Sequence, residues 1–185
     1  MPNRLSKLSG SSKLSYDMVI IGGGMVGSSF ALALAKAIGS ASILMIDTHE
    51  MSKKKRPSFD DRSTALSFGS SQILSNFGVW EKLKKDANKI EKIQVSDKGH
   101  IGMTQLSSSD YDIDALGYVI ENRVFGAVIN DALKRASSID YLAPASVTKL
   151  TPKADGMVVE LEKENYRQTI EASLVVLADG GRSPL

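Results

Sequence analysis

The 185-residue chain carries 23 Lys and Arg against 21 Asp and Glu, a net charge of +2, with 42% apolar residues, no cysteine and two histidines. This composition provides for one domain with a sizeable core, and it excludes disulfides, thiolate metal sites, cysteine-pair redox relays and a histidine-rich metal centre. The positive charge is not gathered into a basic face interleaved with aromatics, so nucleic acid is not implied, and no stretch reaches the apolar length of a membrane span.

The N-terminal "MPNRLSKLSGSSKLS" is basic, serine-rich and free of acids, without the apolar core of a secretory signal. Residues 1–16 read as a disordered basic tail, a composition that also fits an organellar presequence. Next comes a strand-like run, Met18 to Ile21, then three glycines, then "SSFALALAKAIG", a helix closed by Gly39. Gly22, Gly24 and Gly27 make G-x-G-x-x-G, in which the first glycine permits a tight bend, the second lets a pyrophosphate approach the backbone, and the third lets helix and strand pack. Taken alone, the triplet fits a plain strand-to-helix turn equally well.

The following "SILMID" reads as a buried strand ending in Asp47, 20 positions beyond Gly27. A dinucleotide fold places there the carboxylate that accepts hydrogen bonds from a ribose diol; the alternative is a cap after a strand. Glycines and aspartate together predict a βαβ unit binding an adenine dinucleotide, and leave FAD and NAD(P) undistinguished.

"SKKKRPSFDDR" (52–62) reads as a loop, its basic run Lys53 to Arg56 either solvated or leaning on anionic lipid headgroups. Helices are expected over about Ser63 to Phe77 and Trp80 to Ala87. "IEKIQVSDKGHIGMTQL" gives two strands joined at Asp97-Lys98-Gly99, and residues 107–115 a polar, acidic loop. From "GYVIENRVFGAVINDALKRAS" the pattern is helical, with Phe125, Ile129 and Leu133 four apart. "DYLAPASVTKL" and "GMVVELEKENYRQTIEA" follow as strands, the latter a hairpin turning near Glu164 to Tyr166. A buried strand, "SLVVL", then runs into Asp179-Gly180-Gly181. His49 and His100 fall on surface loops.

The order of glycine fingerprint, acidic strand end, "FDDR" loop, hairpin excursion and "LADGG" resembles the class A flavoprotein monooxygenases, the para-hydroxybenzoate hydroxylase fold. "IIGGGMVGSSFALAL", "FDDRSTALSFGSSQILSNFGVW", "IQVSDKGHIG", "ALGYVIEN" and "LVVLADGGRS" resemble in particular the ubiquinone-pathway ring hydroxylases. Within that group "VSDKGH-x-G" favours the branch acting on a polyprenyl methoxyphenol. The resemblance runs from about Asp17 to the last residue.

It implies FAD as cofactor and NAD(P)H as a transient co-substrate with no Rossmann domain of its own. Gly22, Gly24 and Gly27 would face the FAD diphosphate, Asp47 the adenosine ribose, Arg62 the cofactor near its diphosphate and flavin end, and Asp179 with Gly180 the ribityl and diphosphate region. An arginine found at the head of the "x-x-L-x-x-x-L" helix in many such enzymes is replaced here by Asn122, and Arg123 does not take over that contact. The implied reaction is oxygen insertion into an electron-rich phenol ring through a flavin C4a-hydroperoxide. The cofactor does the hard chemistry, and no catalytic base is evident.

The implied fold is α/β: a Rossmann-like FAD-binding domain from residues 17–75 and 116–185, incomplete at its C-terminus, with residues 76–115 starting a β-rich substrate domain. The chain stops before the family's second FAD-binding segment, a Gly-Asp motif, so it is expected to be a fragment about half the length of a whole hydroxylase and inactive alone. The alternative is a non-catalytic dinucleotide-binding module. The resemblance further implies a polyprenyl phenol and dioxygen as substrates, peripheral contact with the membrane and with other ubiquinone-biosynthesis enzymes, and a place in bacterial cytoplasm at the inner membrane or, alternatively, on the mitochondrial matrix side.

Overall fold

The computed structural model describes residues 14–50, 59–163 and 166–181. The first 13 residues, the Lys53 to Arg56 run, the turn at Glu164 and the last four residues lie outside the described residues. Strand β1 (Leu14–Ile21) runs through helix α1 (Met25–Ala37) into β2 (Ile43–Ile46). An excursion of β3 (Ser63–Ser67), α2 (Phe68–Asn76), α3 (Trp80–Leu83), β4 (Asn88–Ile90), β5 (Lys92–Ser96), β6 (Met103–Ser107) and β7 (Gly117–Glu121) ends in α4 (Asn122–Arg135). Strands β8 (Ile139–Leu142), β9 (Ser146–Lys153), β10 (Gly156–Lys163) and β11 (Tyr166–Leu177) complete the chain.

The main sheet has the order β8-β2-β1-β11-β10-β9. Its first four strands are parallel, and β10 and β9 extend it antiparallel. The residues of β2 are all buried because both sheet faces are covered, as a parallel sheet requires. Side chains alternate accordingly. Ile20, Ile43 and Met45 join Ala31, Leu32, Phe125, Ile129 and Leu133 in the core beneath α1 and α4, whereas Val19, Ile21, Leu44 and Ile46 pack with Val159, Leu161 and Ile170 of the antiparallel wing. Each fully buried side chain of this size contributes about 1.5–3 kcal/mol.

A smaller sheet, β3-β7-β4, and a separate ribbon, β5-β6, form the excursion. Trp80 and Tyr118 meet edge-on there, with ring centroids 4.6 Å apart, and both belong to the core under α1 and α4. The ribbon differs: Ile93, Val95 and Met103 stand 37%, 56% and 66% exposed.

Several elements depart from the sequence expectation. The helix expected from Ser63 begins only at Phe68, because Ser63 to Ser67 alternate in burial and pair with β7, and the Ser67 hydroxyl caps α2 through the Ser70 amide. Gly117 to Glu121 are a strand, and α4 starts at Asn122. The helix from Trp80 ends at Leu83 and tightens to a 3-10 turn over Lys84–Asp86. The second arm of the last hairpin and the strand "SLVVL" are one 12-residue strand, β11, pairing with β10 from Tyr166 to Ala172 and with β1 from Ile170 to Leu177, and "SLVVL" is not buried as expected, since Leu174 and Leu177 are each 51% exposed. Leu14 to Tyr16, assigned to the tail, are the start of β1.

Candidate functional site

In an open α/β sheet, ligands bind outside the carboxyl ends of the strands where the strand order reverses. Here β1 has β2 on one side and β11 on the other, so that point is the gap between the ends of β1 and β11. Gly22 and Ala178 are the residues that leave those two ends, and the Ala178 amide donates to the Ile21 carbonyl at 2.7 Å.

The glycine turn is built by main-chain contact. Gly22 adopts φ +105°, and a Cβ there would lie 2.4 Å from the Ala178 carbonyl oxygen. A Cβ on Gly27 would lie 2.0 Å from the Gly22 carbonyl oxygen. Both glycines are therefore needed for the turn to close. Gly24 is the helix N-cap, in extended backbone with no side-chain cap, and the first turn of α1 contains no acidic residue. The positive end of the helix dipole thus faces the gap, and α1 supplies no acidic side chain of its own against it. The fully buried Ser28 hydroxyl, which the sequence reading did not single out, donates to the Gly23 carbonyl at 2.9 Å and braces the turn from below.

Asp47 and Asp179 stand on either side of this turn. The Asp47 carboxylate accepts from the Gly23 amide at 2.6 Å and from the His49 amide at 2.7 Å. It is thus tied to the glycine turn itself. Asp179 accepts from the Gly181 amide through Oδ1 at 3.1 Å, while its Oδ2 is buried without a hydrogen-bond partner among the described residues. A buried acceptor left unmatched in a native fold asks for an explanation such as a ligand. Gly180 follows with φ +77° and open space around its Cβ direction. These features fit a diphosphate and hydroxyl-bearing cofactor: a crowded glycine bend, an uncapped helix end, and an acceptor awaiting a donor.

Arg62 belongs to a different cluster. It precedes β3, its side chain is 74% exposed, and its Nε donates to Asp60 Oδ2 at 2.6 Å. Asp60 also accepts from the Arg62 amide at 3.1 Å and the Asn122 side-chain amide at 3.3 Å. Asn122, only 4% exposed, accepts from the Thr64 hydroxyl at 2.6 Å. Main-chain bonds complete the joint: the Asn122 amide donates to the Arg62 carbonyl and the Arg123 amide to the Asp60 carbonyl. Phe59 closes it by packing on α4 so tightly that a Cβ on Gly126 would lie 2.4 Å from its ring. Partial desolvation pushes the Asp60 carboxyl up, but the hydrogen bonds from Arg62 and Asn122 outweigh it and hold the carboxyl below its ordinary 3.8.

The structure thus brings Gly22, Gly24, Gly27, Asp47 and Asp179 with Gly180 around one gap, and gives Arg62 its own neighbours at the head of α4. Arg123 is engaged with Glu121 and Asp61 in surface ion pairs. His49 and His100 are on the surface, as expected. Phe59, Asp60, Thr64 and Asn122 were not foreseen as a unit. A signal existed for Asn122, a polar residue three positions before Phe125 on the buried stripe of α4.

Comparison with known proteins agrees with this geometry. Ubiquinone hydroxylase UbiL of Rhodospirillum rubrum is 31% identical over 182 residues, covering 98% of this chain and 41% of its own. The 3-demethoxyubiquinol 3-hydroxylase of Escherichia coli is 27% identical over 168 residues, covering 90% and 42%. This chain spans about two fifths of the length of these relatives. The flavin-dependent monooxygenase PieE, solved in complex with FAD and substrate, superposes with a TM-score of 0.73 at 15% identity, over 94% of this chain and 31% of PieE, which shows a shared fold. Residues 15–185 match the family described as FAD binding domain, and the chain belongs to that family.

Proposed function

We propose that this chain is the FAD-holding part of a flavoprotein monooxygenase that hydroxylates the ring of a polyprenyl methoxyphenol in ubiquinone biosynthesis, with NAD(P)H and dioxygen as co-substrates. The observation that carries the reading is the meeting of the glycine turn with the end of β11, where Asp179 buries an unmatched oxygen. The ubiquinone hydroxylases among its relatives support the substrate class.

When bound, FAD supplies the redox chemistry, passing two electrons from NAD(P)H to dioxygen so that one oxygen atom enters the ring and the other leaves as water. The chain's own residues bind and orient. The amides around Gly22, Gly24 and Gly27 meet the diphosphate, and the Asp47 carboxylate accepts from the adenosine ribose while keeping its bond to Gly23. Asp179 and Gly180 meet the ribityl and diphosphate region, and Arg62 pairs with the cofactor near its diphosphate and flavin end. The β5-β6 ribbon, residues 92–107, with Ile93, Val95 and Met103 exposed, is the first piece of the substrate-facing sheet.

The 185 residues alone bind without turnover, a reading favoured by their spanning two fifths of the relatives. The whole protein works at a membrane surface where its prenylated substrate dissolves, beside other enzymes of the pathway: the bacterial inner membrane or, alternatively, the mitochondrial matrix side. Among the described residues no helix is long and apolar enough to cross a membrane.

The visible spectrum of the whole protein, with FAD released by heat and identified by chromatography, tests the first step; a colourless protein that takes up no FAD sinks the reading. NAD(P)H-dependent hydroxylation of a polyprenyl phenol tests the second. Asp47→Ala is expected to weaken FAD binding by about 1–3 kcal/mol, the loss for a charge-assisted hydrogen bond. Unchanged flavin retention would remove Asp47 from the site.

A further inference from the structure

We propose that Asp60 is a positioning residue for Arg62, and that Asn122 fixes Asp60 in that role. This rests on the reading above that Arg62 meets the FAD diphosphate. An exposed arginine on a loop has many rotamers, and ordering it on a ligand costs about 1–2 kcal/mol of side-chain entropy. Here that freedom is already reduced. Asp60 grips Arg62 at two points, the backbone amide and Nε, 3.1 and 2.6 Å away. The guanidinium plane is thereby tied to its own main chain.

The grip has an anchor outside the loop. Asp60 Oδ1 also accepts from Asn122 Nδ2 at 3.3 Å, and Asn122 Oδ1 is held by the Thr64 hydroxyl at 2.6 Å. Asn122 is buried at the head of a 14-residue helix whose next turns, through Phe125 and Ile129, are set in the core. Through this chain of bonds the orientation of an exposed arginine is referred to the rigid interior.

The test is a double-mutant cycle in the whole protein, read as the FAD dissociation constant from quenching of flavin fluorescence, with thermal melting as a control. Asp60→Asn and Arg62→Gln are each expected to weaken FAD binding about tenfold in a protein that still melts cooperatively, and the double variant to be no weaker than Arg62→Gln alone. A hundredfold loss in the double variant, or wild-type affinity in Asp60→Asn while Arg62→Gln binds weakly, overturns the positioning role. Wild-type affinity in Arg62→Gln overturns the assignment of Arg62 to the cofactor instead. Should Asp60→Asn not fold, Asn122→Ser removes the anchor and keeps the carboxylate; its loss must likewise vanish in the Arg62→Gln background.

Discussion

The glycine turn after β1 and the joint between the "FDDR" loop and α4 are both close contacts between distant segments, and they are made of different material. At the turn, main chain touches main chain: Gly22 and Gly27 have carbonyl oxygens where a side chain would be. At the joint, side chains do the holding, with Asp60 receiving Arg62 and Asn122, and Asn122 receiving Thr64. A contact built of backbone tolerates one residue type and leaves a fixed spacing in the sequence. A contact built of side chains can be rewritten in pairs and leaves none.

That contrast is sharpest under substitution. Gly27→Ala is expected to cost at least about 3 kcal/mol, because neither the Gly22 carbonyl nor the helix can yield the space a Cβ needs. A cooperative melt at the wild-type temperature would refute the backbone account. Asn122→Ala should cost about 2 kcal/mol, since it strips a buried partner from the Thr64 hydroxyl and from Asp60. Chemical denaturation with an unchanged slope would measure it, and a cost under about 0.5 kcal/mol would reduce the joint to its main-chain bonds.

Acid separates the two regions in another way. The Asp60 carboxyl is held below 3.8, so its contribution to the joint is complete above that value and fades as pH falls through its lower folded value. Amide exchange at Asn122 and Arg123 should therefore accelerate in acid before exchange at Gly22 does; simultaneous loss would contradict the distinction. The smallest effect belongs to Arg62→Gln, expected within about 0.5 kcal/mol of wild-type stability because the pair with Asp60 is exposed. A larger shift in melting would make Arg62 a structural residue.

The same contrast explains what the sequence disclosed. The βαβ start, the carboxylate at Asp47 and the strand into Asp179 were readable because glycine spacing and short continuous apolar runs are local signals. The strand Ser63–Ser67 was hidden: "STALS" has little strand preference of its own and becomes extended by pairing with Gly117 to Glu121, 50 or more residues later. Those partners were concealed in turn by running directly into α4. The continuity of β11 escaped because its two halves have different neighbours, β10 and then β1, and so read as two strands. The Asp60–Asn122 bond joins residues 62 apart by a pairing that no period announces.

The pairing of β1 with β11 has a consequence for how the protein is made. Leu14 lies opposite Ile170, and the glycine bend that follows β1 closes against Ala178. Strand β1 therefore waits for β11, the kind of long sequence separation that slows folding. Until Ala178 and Asp179 emerge, the nascent chain holds only one wall of the gap. On the proposed placement of the cofactor against Asp179, flavin loading waits for β11, and a chain stalled before it would carry every fingerprint glycine and still be apoprotein.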